Sequence, residues 1–460
     1  MKSKFVCENC EVEQVKWLGR CPSCGLFNTL YEVTEEKDLP GGVGAAKKKT
    51  KQTEKKTSDA GAVLLKNVAL QENNSRQPTF IKELDRVLGG GIVPGSVILL
   101  GGDPGVGKST LLLQVCSGVA SDDFKVLYAS GEESSSQIRL RASRLGVNEL
   151  GCYLQSETDI YKVKDAVAKI KPSLLIIDSI QTMRLSDINS LPGSVMQVRE
   201  CAAFFTYMAK QENLSVILVG HVTKEGSLAG PRVLEHMVDT VLYFENEGRE
   251  PCRVIRSVKN RFGSTSEIGM FEMGEEGLAE INDPSAYMLS GKPKDVSGSV
   301  ITCSLEGTRP LLAEVQALVA YTNFGTPRRT AIGMDYNRVV MLLAVLEKRA
   351  GYKLQTYDAY VNATGGIKLG EPAADAGIVA ALASCYKNKP IPADMVIIGE
   401  VGLAGEMRAV TGAERRISEA KLQGFTMAVL PEANRKNFKM LDNFKILWAS
   451  NINEMLDAVI

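Results

Sequence analysis

The stretch from Gly101 to Thr110, Gly-Gly-Asp-Pro-Gly-Val-Gly-Lys-Ser-Thr, constrains this chain more than any other. It contains the pattern G-x-x-x-x-G-K-[ST] from Gly102 to Ser109. The apolar run Val97–Leu100 precedes it, and the helical run Leu111, Leu112, Leu113, Val115 follows it. In that context the glycines let successive backbone N–H groups converge on phosphate oxygens, and the helix N-terminus adds the positive end of its dipole. Lys108 supplies a point charge for the β- and γ-phosphates, and the Ser109 hydroxyl is a Mg²⁺ ligand. Gly102, Asp103, Pro104, Gly105, Val106, Gly107, Lys108, Ser109 and Thr110 are therefore the candidate nucleotide-binding residues, with ATP and Mg²⁺ as the implied ligands.

Around this loop, strand and helix patterns alternate as in an α/β unit with a parallel sheet. Strands are predicted at Val97–Leu100, Lys125–Ser130, Leu174–Ile177, Ser215–Val219 and Thr240–Phe244. The third is continuously apolar, which suits a strand covered on both faces. Polar residues gather at the strand ends, where open α/β sheets bind ligands. Asp178 ends the third strand and is the candidate second Mg²⁺ ligand. Glu132 or Glu133 ends the second and is placed to activate water. Glu132 is preferred; the alternative role for either is to open the next helix, which Ser134 caps and which carries Ile138, Leu140 and Leu145. His221 ends the fourth strand, as a phosphate sensor or as a satisfied buried histidine.

At 460 residues the chain exceeds one ordinary domain. The expected division is a zinc-binding module at 1–34, a basic linker at 35–62, the nucleotide-binding core at 63–280 and an α+β domain at 285–460. Cys7-x-x-Cys10 and Cys21-x-x-Cys24 are two knuckles with ten residues between them, and paired knuckles supply the four thiolates of a structural tetrahedral Zn²⁺ site. Cys116, Cys152, Cys201, Cys252, Cys303 and Cys385 read instead as small buried hydrophobes. The linker, with Lys47, Lys48, Lys49, Lys51, Lys55 and Lys56, is a solvated tether or a weak phosphate contact. The 54 basic and 54 acidic residues produce no global field, so any nucleic-acid contact must be local. No apolar run approaches the ~18 residues of a membrane helix, and the charged N-terminus lacks the apolar core of a signal peptide. A cytoplasmic protein without membrane contact is expected.

The motif Lys259-Asn260-Arg261-Phe262-Gly263, together with the cysteine knuckles and the phosphate loop, resembles the bacterial RadA (Sms) family of DNA-repair ATPases over essentially the whole chain. The resemblance implies a RecA-like core and ATP-driven branch migration of recombination intermediates. It also implies a homo-oligomeric ring, expected to be a hexamer, acting on single-stranded and branched DNA with a recombinase filament as partner. By the same resemblance, Lys259 and Arg261 act at a subunit interface on the neighbour's γ-phosphate. They complete a catalytic set with Lys108, Glu132 and Asp178. The loops Arg184–Ser194 and Lys224–Arg232 are expected to face a central channel, with Lys224 and Arg232 as candidate DNA-phosphate contacts.

From about Ser297 the sequence resembles the Lon-type proteolytic domain, carried by Gly370–Gly377 and Gly399–Arg408. Asp375 stands where the Lon-type serine belongs, and Arg416 where the lysine belongs. A carboxylate is no hydroxyl nucleophile, and a guanidinium does not shed its proton to act as a base. The domain is therefore expected to be proteolytically inactive and to serve as an assembly platform, with Asp375 and Arg416 paired to each other. Arg328, Arg329, Lys348, Arg349 and Lys353 form either a DNA-facing patch or a solvated face.

The expected fold class is thus α/β: a RecA-like P-loop ATPase core with an N-terminal four-cysteine zinc module and a C-terminal α+β Lon-protease-like domain. The favoured function is a DNA-stimulated ATPase motor. A regulatory ATPase of the circadian-clock type would duplicate the core, whereas a single phosphate-loop motif is present; an ATP-dependent protease would need the missing dyad. The zinc module is too short to fold without metal. Chelation should therefore expose Trp17, read as a red shift and quenching of its emission, and an unchanged spectrum would exclude a metal-dependent fold.

Overall fold

The computed structural model describes residues 76–147, 150–221, 234–246, 252–293, 295–322, 325–366, 368–439 and 441–460, and before them Pro22 and three strands. Those strands, β1 (Ser3–Cys7), β2 (Glu13–Gln14) and β3 (Leu30–Thr34), form an antiparallel sheet in the order β2-β1-β3 within a unit spanning Met1–Leu70. The side chains of Cys7, Cys10, Cys21 and Cys24, the lysine-rich linker, and Lys224 and Arg232 lie outside the described residues.

The second unit, Gln71–Ile460, holds two large sheets. It opens with α1 (Lys82–Leu88), β4 (Val97–Gly102), α2 (Lys108–Val119), β5 (Val126–Ser130), α3 (Ser135–Arg144), β6 (Cys152–Ser156) and α4 (Ile160–Ile170). There follow β7 (Leu174–Asp178), α5 (Val195–Glu212), β8 (Ser215–His221), β9 (Thr240–Glu245), β10 (Cys252–Asn260), β11 (Ile268–Gly274) and β12 (Gly277–Glu280). The sheet order is β12-β11-β10-β9-β4-β8-β7-β5-β6, parallel from β9 to β6 and antiparallel beyond. Strands β4, β5 and β7 are buried at every position. Alternate residues serve opposite cores: Ile98 and Leu100 pack with α1, α2 and α3, while Val97 and Leu99 pack with α4 and α5.

All five strands expected from apolar runs are present, some with longer ends. The edge strand β6 has no such run because it is only partly buried, so one of its faces stays polar. Ser134 caps α3 and forms a reciprocal capping box with Gln137, and Ile138 is buried. Leu140, carried on the same helix, is 76% exposed. Four of the six scattered cysteines are buried, whereas Cys152 and Cys385 are half-buried.

After α6 (Pro284–Met288), the C-terminal sheet comprises β13 (Ser299–Glu306), β14 (Arg309–Tyr321), β15 (Arg329–Ile332), β16 (Tyr357–Ala363), β17 (Met395–Ile397), β20 (Met427–Pro431) and β21 (Lys445–Ala449). Its order is β15-β16-β14-β13-β17-β20-β21, with a small pair, β18 (Glu400–Val401) and β19 (Met407–Arg408), beside it. One core gathers α7 (Tyr336–Ala350), α8 (Asp375–Lys387) and α10 (Ile452–Val459); another includes α9 (Ala413–Leu422).

The expected Asp375–Arg416 pair does not form; each residue has its own partner. Asp375, 1% exposed, accepts from Arg338 on α7 (Nε to Oδ1, 3.0 Å; Nη2 to Oδ2) and from the Val401 N–H at 3.1 Å. Burial pushes its carboxyl above the ordinary value, against the pull of Arg338. Arg416, fully buried, donates to the carbonyls of Thr411 (3.0 Å) and Cys303 (2.5 Å) and to the Glu371 carboxylate. The two positions that match the Lon-type dyad therefore sit in separate ion pairs, with Arg338 and Glu371 as partners. Neither can attack or activate a peptide. Glu371→Ala would strand a buried guanidinium and should cost about 3–5 kcal/mol. Urea denaturation of the full-length protein measures the loss, and an unchanged midpoint would mean that Arg416 finds another acceptor.

Candidate active site at the carboxyl edge of the parallel sheet

The site is built where β4 ends. Gly102 lies beside His221 on one flank and Phe244 on the other. A Cβ at Gly102 would overlap the Phe244 carbonyl oxygen, so only glycine permits this approach. Gly107, at φ +115°, turns the chain into α2 and leaves the first N–H groups of the helix unpaired and clustered. Lys108 is 5% exposed and donates to the carbonyls of Gly102 (2.7 Å) and Asp103 (2.9 Å). Burial lowers its ammonium from the ordinary 10.5, and Asp178, Glu132 and Asp103 oppose that shift.

His221 joins the phosphate-loop lysine to a carboxylate. Its Nδ1 lies 3.4 Å from Lys108 Nζ, and its Nε2 lies 3.0 Å from Glu132 Oε1. An ammonium can only donate, so Nδ1 is the acceptor and Nε2–H donates to Glu132. Glu132 Oε1 also accepts from the Ser179 hydroxyl. These bonds, His221 first, hold its carboxyl down at about 2, so it is ionised at neutral pH. Glu133 is turned away, its carboxylate 2.5 Å from Arg141 of α3.

Asp178 is 8% exposed at the end of β7. Its Oδ2 accepts from the Tyr128 hydroxyl, and the Ser109 side chain lies close enough to that phenol to favour its charged form slightly. Burial, then Asp178, raises the phenol well above its ordinary 10.0, so it remains an O–H donor. One phenol thus bonds the carboxylate and lies beside the hydroxyl, the two groups that would hold Mg²⁺. Both are hard oxygen donors of the kind that ion takes, and the bound ion would neutralise phosphate charge. The four sulfur donors of the N-terminal knuckles suit Zn²⁺ equally well.

Tyr128 and Ser179 were not singled out from the sequence. The signal for Tyr128 is a phenol inside an otherwise aliphatic strand covered on both faces, where its hydroxyl needs a partner. Gln197 was also missed. Buried on α5, its amide bonds the Leu185 N–H (3.0 Å) and the carbonyls of Leu185, Ile188 and Ser190 (each 3.2 Å), which shapes the Arg184–Ser194 loop.

Lys259 and Arg261 are not brought to this edge. Lys259 pairs with Val241 and Asn260 with Thr240, and Thr240 pairs with Ile98. They are therefore level with the start of β4, about 13 Å along the strand from Gly102. Lys259 Nζ donates to the Glu235 carbonyl (2.7 Å), and half-exposed Arg261 meets Asp239 at 3.1 Å. Asn260 is a clip: its amide donates to the carbonyls of Val87 and Leu88 at the end of α1 and accepts from the Phe262 N–H.

A glycine-built phosphate loop with its lysine, a buried aspartate and an ionised glutamate at the carboxyl edge of a parallel sheet define a RecA-like P-loop ATPase, here fused to a Lon-like domain. Residues 66–227 match a family model described as an AAA domain, 348–460 the Lon protease (S16) C-terminal proteolytic domain, and 5–32 a rubredoxin metal binding domain. The chain is 49% identical to the DNA repair protein RadA of Bacillus subtilis over 99% of its own length and 98% of that protein's. It is 46% identical to the RadA of Listeria monocytogenes, covering 99% and 97%. A solved KaiC-like protein of Pyrococcus horikoshii matches 45% of this chain and 98% of its own, at 21% identity and a TM-score of 0.39. The chain belongs to the RadA family of DNA repair proteins and is an ATP-hydrolysing enzyme. Among the described residues, no helix is long and apolar enough to cross a membrane.

Tyr128→Phe removes one hydroxyl and keeps the ring in its core. The Mg²⁺ concentration needed for half-maximal binding of a fluorescent nucleotide should rise about tenfold. An unchanged requirement would show that the phenol does not organise the ion's ligands.

Proposed function

We propose that this chain is a DNA-dependent ATPase motor that drives branch migration of strand-exchange intermediates, binds single-stranded and branched DNA, and works as a homo-oligomeric ring, with a hexamer as the expected form. Residues 63–280 form the motor and 285–460 its assembly platform. On this reading, Lys108 and Mg²⁺, held by Ser109 and Asp178, neutralise the triphosphate. Glu132, kept ionised and oriented by His221 and Ser179, accepts the proton of the attacking water. Lys259 and Arg261 serve the nucleotide of the adjoining protomer.

The observation that carries this reading is the register of β10. It sets Lys259 and Arg261 at the opposite end of the strands from their own phosphate loop, while Arg261 keeps half its surface in solvent. Cations so placed are useless to their own nucleotide and available to another chain's. The DNA path is assigned to the Arg184–Ser194 loop and to Lys224 and Arg232, through phosphate contacts that salt should weaken steeply.

The test is Arg261→Ala. It should bind a fluorescent ATP analogue as tightly as the parent, yet turn over ATP on the order of 10³-fold more slowly and fail to move a three-stranded DNA junction. Lys108→Ala should lose nucleotide binding itself. Normal DNA-stimulated turnover by Arg261→Ala would overturn the reading.

A further inference from the structure

Four consecutive residues at the tip of the β13–β14 hairpin, all in the C-terminal domain, each touch the ATPase domain. Glu306 pairs with Arg256 of β10 at 2.7 Å. The backbone of Gly307 lies so close to Ser266 that a Cβ there would overlap the Ser266 carbonyl oxygen. Thr308 donates to Glu267 at 2.6 Å. Arg309 meets Glu83 of α1 at 2.8 Å and donates to the Asn282 carbonyl at 3.2 Å.

Two of these contacts fall on the β10–β11 turn, which follows Lys259 and Asn260 and begins at Arg261, and Ser266 and Glu267 close it. A third, Arg256, lies on β10 three residues before Lys259. The fourth reaches the same loop through α1. Glu83, 3% exposed, also accepts from the Met270 N–H of β11 at 2.9 Å, and the far end of α1 holds Asn260. The loop is thus gripped from both sides by groups that answer to the hairpin. A buried, multiply bonded pair such as Glu83–Arg309 fixes geometry more than it adds stability.

We propose that the β13–β14 hairpin is a positioning element for catalysis: the Lon-like domain sets the pose in which Lys259 and Arg261 are offered to the next protomer's nucleotide. This rests on the reading of those two cations as acting in trans. A cation displaced by about 1 Å loses much of its effect on a transition state, whereas ground-state binding by the chain's own phosphate loop is untouched.

The test uses full-length chains. Two variants disturb the hairpin: Gly307→Ala, which pushes on Ser266, and the milder pair Glu306→Gln with Thr308→Val. Each should bind a fluorescent ADP analogue normally and keep KM, with kcat lowered about 10- to 100-fold. Each is then mixed with Lys108→Ala chains, which bring a sound finger loop and no working nucleotide site; Arg261→Ala mixed in the same way is the reference. Recovery of turnover several-fold above the hairpin variant alone, matching the reference, supports the proposal, because an intact finger then meets the variant's intact site. If the reference recovers and the hairpin variants do not, the hairpin acts on its own chain's site and the proposal falls. If the reference itself fails to recover, the trans reading falls first and takes the proposal with it. Unchanged kcat in both variants also overturns it, and if Gly307→Ala does not fold, the milder pair decides.

Discussion

The parallel register of β4 with its neighbours is the constraint on which the rest of this molecule depends. It brings Gly102, His221, Asp178 and Glu132 to one edge of the sheet, and Asp239 with Arg261 to the other. Buried strands covered on both faces have little freedom to slip, because a shift of one residue would exchange the two cores. The separation between a phosphate-binding edge and a cation-bearing edge is therefore built into the core packing. Rotamer choices at the surface do not set it.

At the phosphate-binding edge, charge is arranged through intermediaries. His221 stands between Lys108 and Glu132, and Tyr128 stands between Asp178 and Ser109. Each intermediary limits how far two oppositely charged or metal-seeking groups can relax towards each other. Without His221, Lys108 and Glu132 would be free to collapse into a direct ion pair that competes with phosphate. Without Tyr128, the two oxygen donors would each settle separately. Preorganisation of this kind is worth most where burial lowers the local dielectric, as the depressed Lys108 ammonium indicates.

At the two positions that match the Lon-type dyad, the C-terminal domain buries an aspartate and an arginine. A serine and a lysine can share a proton; an aspartate and an arginine cannot, and each has acquired a separate counter-charge, Arg338 and Glu371. Buried charges are costly unless paired and hydrogen-bonded, so the substitutions commit this region to structure. The same domain meets the ATPase domain through the tip of its β13–β14 hairpin.

Much of this was legible in the sequence for a physical reason: local geometry determines it. The phosphate loop, the apolar strands ending in Asp178 and at Gly131-Glu132, and the Ser134 helix cap are runs of a few residues whose conformation and partners lie within a turn of each other. The pentapeptide Lys259–Gly263 could be recognised but not located, because the register of β10 against β9 is a pairing between distant segments. The tertiary structure alone decided that Glu132 and not Glu133 meets His221, that Tyr128 reaches Asp178, and that Asp375 and Arg416 do not meet. Each depends on which side chains several unconnected elements bring within hydrogen-bond reach, and two residues that replace an interacting pair need not inherit its contact. A sequence records which charges must be buried; only packing determines which partner each one finds.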